Sequence, residues 1–413
     1  MKSWIKVKLS DLGNVIGGAT PSTKNENYYG GDIAWITPKD LSNFEGRFIS
    51  HGERNITELG LKSCSATLLP KNTVLFTSRA PIGYVAISSN EVATNQGFKS
   101  IVPNENTDYL FLYYLLKYNK DKIEGMGSGT TFKEVSGATM KNIEVSVPQD
   151  KEEQIRIGKI LSSLDDKIEL NTRMNKVLEE IARALFRRWF VEFEFPNAEG
   201  KPYKTAGGKM VESEMGSVPE GWKVGTVGDI IELSYGKPLK EENRSGNGFP
   251  VFGSNGVVGW HNEWMVAGPG IIVGRKGNAG TVTWSHENFY PIDTTFYVVP
   301  KMNFGCFHYL YLLLESLKLS HLSADSAVPG LNRNAALAQT ILIPDIHTII
   351  DFEIIISSLF SQTRLLKIEN MNLIDMRDSL LPKLMNGEID VSGIPSSLRL
   401  KTILSENGVD EFE

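Results

Sequence analysis

The stretch IGKILSSLDDKIELNTRMNKVLEEIARALFRRW, residues 157–189, decides the architecture of this 413-residue chain. Its seam residues recur in alternating steps of four and three, which is the spacing of a coiled coil rather than of a surface helix. The pattern predicts one long helix over residues 151–190. The seam consists of Ile157, Leu161, Leu164, Ile168, Asn171, Asn175, Leu178, Ala182, Leu185 and Trp189.

A second stretch near the C-terminus has the same spacing and predicts another long helix over 347–387, followed by an acidic tail over 388–413. Thr363 and Arg377 make its seam less regular than the first. The other seam residues include Ile356, Leu359, Leu366, Asn370, Leu373 and Leu380. Neither helix can bury its seam alone. Because each helix follows an equivalent unit of the chain, we expect the two to form an antiparallel coiled coil with the units at opposite ends.

Three asparagines, Asn171, Asn175 and Asn370, interrupt these apolar seams. A buried asparagine tolerates only one alignment of two helices, so these residues favour a fixed register. The alternative interpretation is a polar contact with a partner subunit.

An internal repeat accompanies the two helices. Asn72–Pro103 aligns without a gap with Pro269–Pro300, and Val147-Pro148 aligns with Ile343-Pro344 before the helices. A repeat of this length indicates the architecture directly. We therefore predict an α+β fold with two pseudo-symmetric mixed α/β domains, over residues 1–150 and 191–346, separated by the helices. The second domain would begin with a glycine-rich linker between Phe195 and Trp222. The alternative is a gene duplication kept only for packing.

Composition excludes several classes of protein. Two cysteines are too few for a disulfide framework or a cysteine-based zinc site, and no apolar run approaches the roughly 18 residues of a membrane span. The first twelve residues contain no signal-peptide core. We expect a soluble cytoplasmic protein. With a net charge of −6, any DNA binding would use local patches rather than a basic coat.

Catalytic motifs are missing from the sequence. It has no phosphate-binding P-loop, no Gly-x-Ser-x-Gly elbow, no His-Glu-x-x-His zinc motif and no Asn-Pro-Pro-Tyr/Phe motif of adenine methylation. Together these absences favour a non-catalytic binding protein without a cofactor or metal of its own.

Polar loops at matching places in the two repeats are the candidate DNA-binding sites. In the major groove arginine suits guanine, and asparagine or glutamine suits adenine, while lysine, serine and threonine hold phosphates. For any one residue, a solvated turn is the alternative. The candidates are Arg79, Asn95, Gln96, Thr130, Thr131, Lys133, Lys237, Arg275, Lys276, Asn278, Asn332, Arg333 and Asn334.

These features together resemble the DNA-specificity subunit of a type I restriction–modification system, over nearly the whole chain. Besides the repeat and the helices, the resemblance rests on four phrases. They are LFRRWFVEFE (185–194), SEMGSVPEGWKV (213–224), GDIAWI (31–36) and LFTSR (75–79).

The resemblance implies that each domain reads one half of a bipartite site on double-stranded DNA and that the helices set the spacer between the halves. Two modification (methyltransferase) subunits would dock on this scaffold and use S-adenosylmethionine. Restriction (translocase/nuclease) subunits would add ATP- and Mg-dependent cleavage. Two other classes remain open, namely a single-chain methyltransferase or nuclease with unfamiliar motifs and a coiled-coil scaffold for protein partners.

Overall fold

The computed structural model describes residues 4–129, 133–301, 305–322 and 330–394. They form two units: unit 1 takes the described residues within 1–172 and 368–413, and unit 2 takes those within 173–367. Each long helix is therefore divided between the units, whereas the sequence predicted each helix as a separate connector. Thr130, Thr131 and residues 395–413 of the predicted tail lie outside the described residues.

Unit 1 holds ten strands, six short helices and the start of the first long helix. The strands are β1 (Trp4–Lys8), β2 (Gly13–Gly17), β3 (Tyr29–Ile33), β4 (Trp35–Ile36), β5 (Phe48–Ile49), β6 (Val74–Ser78), β7 (Ile82–Ser88), β8 (Ala93–Thr94), β9 (Lys99–Pro103) and β10 (Glu144–Pro148). The helices are α1 (Leu9–Leu12), α2 (Pro38–Ser42), α3 (Glu58–Lys62), α4 (Tyr109–Tyr118), α5 (Lys120–Gly125), α6 (Gly137–Asn142) and the long α7 (Lys151–Phe190).

The main sheet of unit 1 has the strand order β2-β9-β6-β7-β5. Its inner strand β6 is buried along its whole length because the sequence Val-Leu-Phe-Thr-Ser has apolar residues on both faces. A separate antiparallel pair joins β1 to β10, so the two ends of the domain meet directly before α7 begins. This pairing places the start of the long helix beside the sheet.

Unit 2 holds eleven strands, three short helices, the end of the first long helix and the start of the second. The strands are β11 (Met210–Ser213), β12 (Gly216–Pro219), β13 (Lys223–Thr226), β14 (Ile231–Tyr235), β15 (Phe249–Gly253), β16 (Gly256–His261), β17 (Gly270–Gly274), β18 (Val282–Ser285), β19 (Tyr290–Pro291), β20 (Thr295–Pro300) and β21 (Thr340–Ile343). The helices are α8 (Val227–Ile230), α9 (Phe307–Ser316), α10 (Arg333–Leu337) and the long α11 (Ile346–Met385).

The two units share one topology. The order β14-β20-β17-β18 in unit 2 repeats the order β2-β9-β6-β7 in unit 1, and β13 pairs with β21 as β1 pairs with β10. The short parallel pair β15·β19 likewise matches β4·β8. The sequence repeat is thus a repeat of the fold. The predicted α+β class with two mixed domains and two long helices is confirmed.

The segment interpreted from sequence as a linker is folded. Strands β11 and β12 form an antiparallel hairpin within it. Phe195 stacks on Tyr203 with ring centroids 4.5 Å apart, and on Trp222 at 5.4 Å. Aromatic stacking between residues separated along the chain thus orders this glycine-rich segment.

The long helices pair antiparallel in unit 1. Asn171 Nδ2 donates to Asn370 Oδ1 at 2.9 Å and to Glu369 Oε2 at 2.8 Å. Asp165, which precedes Asn171 in α7, has a carboxylate oxygen 2.7 Å from Nη1 of Arg377, which follows Asn370 in α11. A rising number on one helix therefore meets a falling number on the other. The amide–amide contact is the polar pairing expected of a register-setting asparagine.

Arg377, which made the second seam irregular, belongs to a buried polar network in unit 1. Asp165 accepts from Arg377 and also from the hydroxyl of Tyr114 at 2.6 Å. Burial raises the pKa of Tyr114 well above its usual value, so the hydroxyl stays protonated and donates. Arg377 interrupts the apolar seam because its charge is paired with Asp165. Thr363 Oγ1 bonds back to Leu359 O within its own helix at 3.0 Å.

In unit 2 the end of α7 packs on the start of α11 through aromatic rings. Phe352 lies against Phe190 with centroids 4.9 Å apart and against Trp189 at 5.5 Å. Tyr309 of α9 packs on Phe190 at 4.8 Å and joins the mixed α/β domain of unit 2 to the helices. These rings form the centre of the unit 2 core.

The predicted seam residues are all buried or half-buried. The knobs-into-holes packing of a coiled coil stays a prediction. The start of the predicted tail also packs: Val391 is buried in the unit 1 core with Leu384 and Met385. By contrast, four apolar residues on another face of α7 are exposed, namely Leu170, Met174, Val177 and Ile181.

Candidate nucleic-acid interface

Two arginines flank an exposed tyrosine at one corner of unit 2. Tyr235 is the last residue of β14 and is 50% exposed. The guanidinium carbon of Arg275, directly after β17, lies 4.9 Å from its ring centroid, and that of Arg333, at the start of α10, lies 5.8 Å away. Both distances allow cation–π attraction, which holds the two charges near each other at the surface. We call these three residues the unit 2 corner.

The backbone orients both arginines. Arg275 Nη1 donates to Asp293 O at 3.1 Å, and Arg333 Nε donates to Leu233 O at 2.6 Å. Arg333 Nη2 also lies 3.4 Å from Glu232 Oε1. An arginine has five N–H donors in a rigid fork, so these bonds fix the guanidinium and leave donors for a ligand. The corner can therefore bind an anionic or acceptor-rich surface.

Other predicted residues lie beside this corner. The backbone N–H of Lys237 donates to Pro291 O at 3.0 Å, and that of Lys276 donates to Thr294 O at 3.1 Å, so both lysines are held by the segment that also holds Arg275. Their residues are exposed, as is Asn278 two positions further. The fold thus brings four cations, Lys237, Arg275, Lys276 and Arg333, to one edge of unit 2.

Asn332 has a structural role. Its Oδ1 accepts from the backbone N–H groups of Asn334 at 2.9 Å and Ala335 at 3.1 Å, so it caps the N-terminus of α10 and positions Arg333. Asn334 is exposed on the same short helix. The DNA contacts predicted for these two asparagines stay predictions.

The matching corner of unit 1 is built from an ionic cluster. Arg79 directly follows β6, and its Nη1 lies 3.7 Å from Glu134 Oε2. Lys99 Nζ lies 3.3 Å from Glu134 Oε1 and 3.4 Å from Ser78 Oγ. Lys133, beside Glu134, is exposed. We call Arg79, Lys99 and Glu134 the unit 1 corner.

Two predicted residues of unit 1 are engaged in the turn before β9. Asn95 Oδ1 accepts from the backbone N–H of Gly97 at 2.9 Å. The side chain of Gln96 is hydrogen-bonded to the hydroxyl of Thr20. Asn95 therefore shapes the turn, while Gln96 remains on the surface.

Sequence reasoning missed Tyr235 and Lys99. Both are strand residues, Tyr235 ending β14 and Lys99 beginning β9, whereas the prediction took only residues of polar turns. Their strands pair with register Tyr235↔Phe296 and Gly17↔Lys99, which shows that the two residues come from neighbouring strands of one equivalent corner. The internal repeat could have indicated both residues, because strands that align in the two copies of the repeat end at equivalent places in the two sheets.

The described residues contain no group of three or more histidine, cysteine or acidic side chains that could hold a metal ion. Within the same described ranges, no helix is long and apolar enough to cross a membrane.

A family model described as "Type I restriction modification DNA specificity domain" matches residues 1–180 and 219–374, so it matches both copies of the repeat. The chain belongs to this family.

Relatives within the type I specificity family match over most of their length. The MjaIX specificity subunit of Methanocaldococcus jannaschii is 35% identical over 94% of this chain and 94% of its own. The HindI specificity subunit of Haemophilus influenzae is 24% identical over 94% of this chain and 100% of its own. These relatives are named as specificity subunits of restriction enzymes, in agreement with the prediction of a non-catalytic chain.

The fold is also that of a solved member of the family. The crystal structure of the type I restriction–modification S subunit from M. genitalium superimposes with a TM-score of 0.62 at 19% identity, covering 93% of this chain and 96% of that chain. At this identity the match concerns the fold alone. It agrees with the duplicated topology and the two long helices.

Proposed function

We propose that the chain is the DNA-recognition subunit of a type I restriction–modification complex, in which each unit reads one half of a bipartite site. One observation carries the proposal: the fold builds a cation-bearing corner twice, at equivalent strand ends of two equivalent sheets. Two copies of one recognition surface in one chain suit a ligand with two separate recognition sites.

The chemistry of the corners suits DNA. Arginines that are oriented by the backbone, such as Arg275 and Arg333, can donate two parallel bonds to guanine or to a phosphate. Lysines such as Lys99, Lys237 and Lys276 suit phosphates. Because the chain as a whole is acidic, with a net charge of −6, such corners concentrate the positive charge where DNA would bind.

The helices suit the spacer role and the docking of modification subunits. The polar contact between Asn171 and Asn370 favours one register, as a ruler of constant length requires. An exposed apolar stripe on α7 in unit 2, formed by Met174, Val177 and Ile181, has helical spacing and is available for a partner helix. We assign this stripe to modification subunits.

The rest of the chemistry belongs to partners in this proposal. S-adenosylmethionine would be bound by the modification subunits, and ATP and Mg by the restriction subunits. The complex would act in the cytoplasm.

The test combines this chain with the modification subunit encoded beside it and maps methylated adenines by sequencing. We expect a split motif with two short specific halves around a constant gap. Methylation or cleavage by the purified chain alone would favour a single-chain enzyme. A stable complex that binds S-adenosylmethionine but shows no sequence preference would favour a protein scaffold.

Two exchanges sharpen this test. Replacing residues 1–150 by those of a relative should change one half of the motif only. Adding one helical turn to α7 near Leu170 should change the gap and leave both halves intact. A changed half-site after the insertion would contradict the ruler, and two changed halves after the exchange would contradict the separation of the domains.

A further inference from the structure

The tip of the β15–β16 hairpin in unit 2 exposes two neighbouring valines. Val257 is 50% exposed and Val258 is 37% exposed. Neighbours on a regular strand point to opposite faces, but here the register shifts: Val251 pairs with Gly259, whereas Phe252 pairs with Val257. Val258 is therefore the extra residue of a β-bulge. A bulge re-aims side chains, which explains why both valines reach solvent.

The hairpin tip is continuous with the cations of the unit 2 corner. Thr281 Oγ1, in the loop after Lys276, donates to Ser254 O at 2.9 Å. The N–H of Ile292 donates to Phe252 O at 2.9 Å, and Ile292 lies in the backbone segment that also holds Lys237 and Arg275. The hairpin tip is therefore adjacent to the loops that carry the cations.

Strand addition by a protein partner does not suit this hairpin. The outer edge of β16 is already occupied by the preceding loop: Arg244 Nη1 donates to Val258 O at 2.7 Å, and the N–H of Gly246 donates to Trp260 O at 3.1 Å. A new strand would need those edge carbonyls. What remains available is the protruding tip with its side chains.

We propose that this tip enters the DNA major groove at the half-site of unit 2 and that Val257 and Val258 contact thymine methyl groups there. The proposal rests on the proposed function. A two-stranded ribbon fits the major groove, where the thymine methyl is the apolar feature that distinguishes A·T pairs. The neighbouring lysines Lys237 and Lys276 hold the phosphates on either side.

In the part of unit 1 that the structure describes, this hairpin has no counterpart. Strand β4 occupies the place of β15 because both pair in parallel with the equivalent short strand. After β4 the chain enters helix α2, where unit 2 has β16. Thymine contacts through a ribbon tip therefore belong to one half-site only.

The test uses the complex of the full chain with its modification subunits. Selection of bound duplexes defines the two halves, and the exchange of residues 1–150 shows which half belongs to unit 2. Thymines of that half are then replaced one at a time by deoxyuridine, which lacks the methyl group. We expect wild-type affinity to fall about fourfold at each contacted thymine, because burial of one methyl-sized group contributes about 0.8 kcal/mol, converted at about 1.4 kcal/mol per tenfold.

The double variant Val257→Ser/Val258→Ser should bind thymine and deoxyuridine duplexes equally. Val299→Ser is the matched control, since Val299 is a strand valine of the same unit with 39% exposure. It should keep the fourfold difference. Thermal unfolding of both variants should match the wild type because all three valines are exposed.

Several outcomes overturn the inference while the proposed function stands. They are specific binding without any thymine-methyl effect in the unit 2 half, an unchanged deoxyuridine effect in the double variant, and a double variant that loses its modification subunits but not its site preference. If the wild-type complex shows no sequence-specific binding at all, the proposed function itself fails.

Discussion

Unit 1 and unit 2 have the same sheet topology, but different kinds of side chain make their contacts with the long helices. In unit 1 the side chain of Arg47 is 3% exposed, and it donates to Ser162 Oγ at 2.7 Å and to Glu169 Oε1 at 3.0 Å on α7. In unit 2 the junction between the two long helices consists of aromatic rings, with Phe352 of α11 against Phe186, Trp189 and Phe190 of α7. The backbone topology is thus repeated, whereas the contacts with the long helices include a buried ionic network in unit 1 and an aromatic cluster in unit 2.

The two corners differ in the same way. Ser78 and Arg275 are equivalent, because each accepts a backbone bond from the segment before the last short helix, from Val135 and Leu331 respectively. Unit 2 therefore has a cation, Arg275, where unit 1 has Ser78. Unit 1 has a cation, Lys99, where unit 2 has Phe296. A cation has therefore changed strands. Because the positive charges lie at different positions in the two corners, we expect the two units to recognise different base sequences.

Helix capping has also been exchanged between the units. In unit 1, Asp108 Oδ1 caps α4, and a Cβ on Gly158 of α7 would lie only 2.9 Å from it. In unit 2, α9 has no side-chain cap from Cys306, and Glu353 of α11 accepts instead from the N–H groups of His308 and Tyr309. Each short helix thus has one carboxylate at its N-terminus. In unit 1 the residue before the short helix supplies it, and in unit 2 the long helix supplies it.

The largest effect is expected from the aromatic junction. Phe352→Ala should lower the free energy of unfolding of unit 2 by about 4 kcal/mol, because it leaves a cavity among large rings. Hydrogen exchange of unit 2 peptides measures this loss. Ile354→Ala, at a residue 68% exposed on the same helix, is the control and should have little effect. Equal losses would show that the rings do not hold the junction.

Loss of the buried carboxylate in unit 1 should come next. Asp165→Ala leaves the hydroxyl of Tyr114 without its acceptor and Arg377 without its buried carboxylate, and should cost about 3 kcal/mol in unit 1. Asp378→Ala removes a carboxylate from the same arginine, but an exposed one, and should cost less than about 1 kcal/mol. If denaturant unfolding finds the two variants alike, the ionic description of the unit 1 junction is wrong.

A moderate effect is expected at the corners. Arg275→Ala should weaken recognition of the unit 2 half-site by about 2 kcal/mol and leave the unit 1 half-site unchanged, since each good arginine–base pair discriminates by about 1–3 kcal/mol. Arg79→Ala should do the reverse by less, because Glu134 already offsets part of its charge. Competition binding with half-site mutants of the DNA checks both. Uniform weakening at both halves would assign these arginines to phosphates alone.

The smallest effect is a pH dependence of the stability of unit 2, which comes from His286. Burial, followed by the neighbouring charges of Lys367 and Arg364, lowers the pKa of His286 in unit 2 to about 4. Since the unfolded value is near 6.5, the stability present above pH 6.5 should be lost as the pH falls towards 4, by roughly 1 kcal/mol after solvent screening. Wild-type protein and His286→Gln should therefore diverge over this range. A parallel pH profile of the two proteins would contradict the assignment.

Much of the fold could be predicted from the sequence because its signals are local or periodic. The step of 3.5 residues predicted two long helices, and the structure has them at Lys151–Phe190 and Ile346–Met385. The repeat predicted two similar mixed domains. Even Arg79 and Arg275 were correctly placed after strands, because an apolar run followed by a polar turn is visible along the chain.

The chemistry of the corners was decided only by the tertiary structure. Tyr235, Arg275 and Arg333 are far apart in sequence, and they meet because β14 and β17 both pair with β20 and α10 returns beside them. The same holds for Arg47 on α7 and Arg377 on Asp165. No periodic pattern encodes which distant charge will be buried against which partner, because that depends on the closing of the sheet and on the register of the helices.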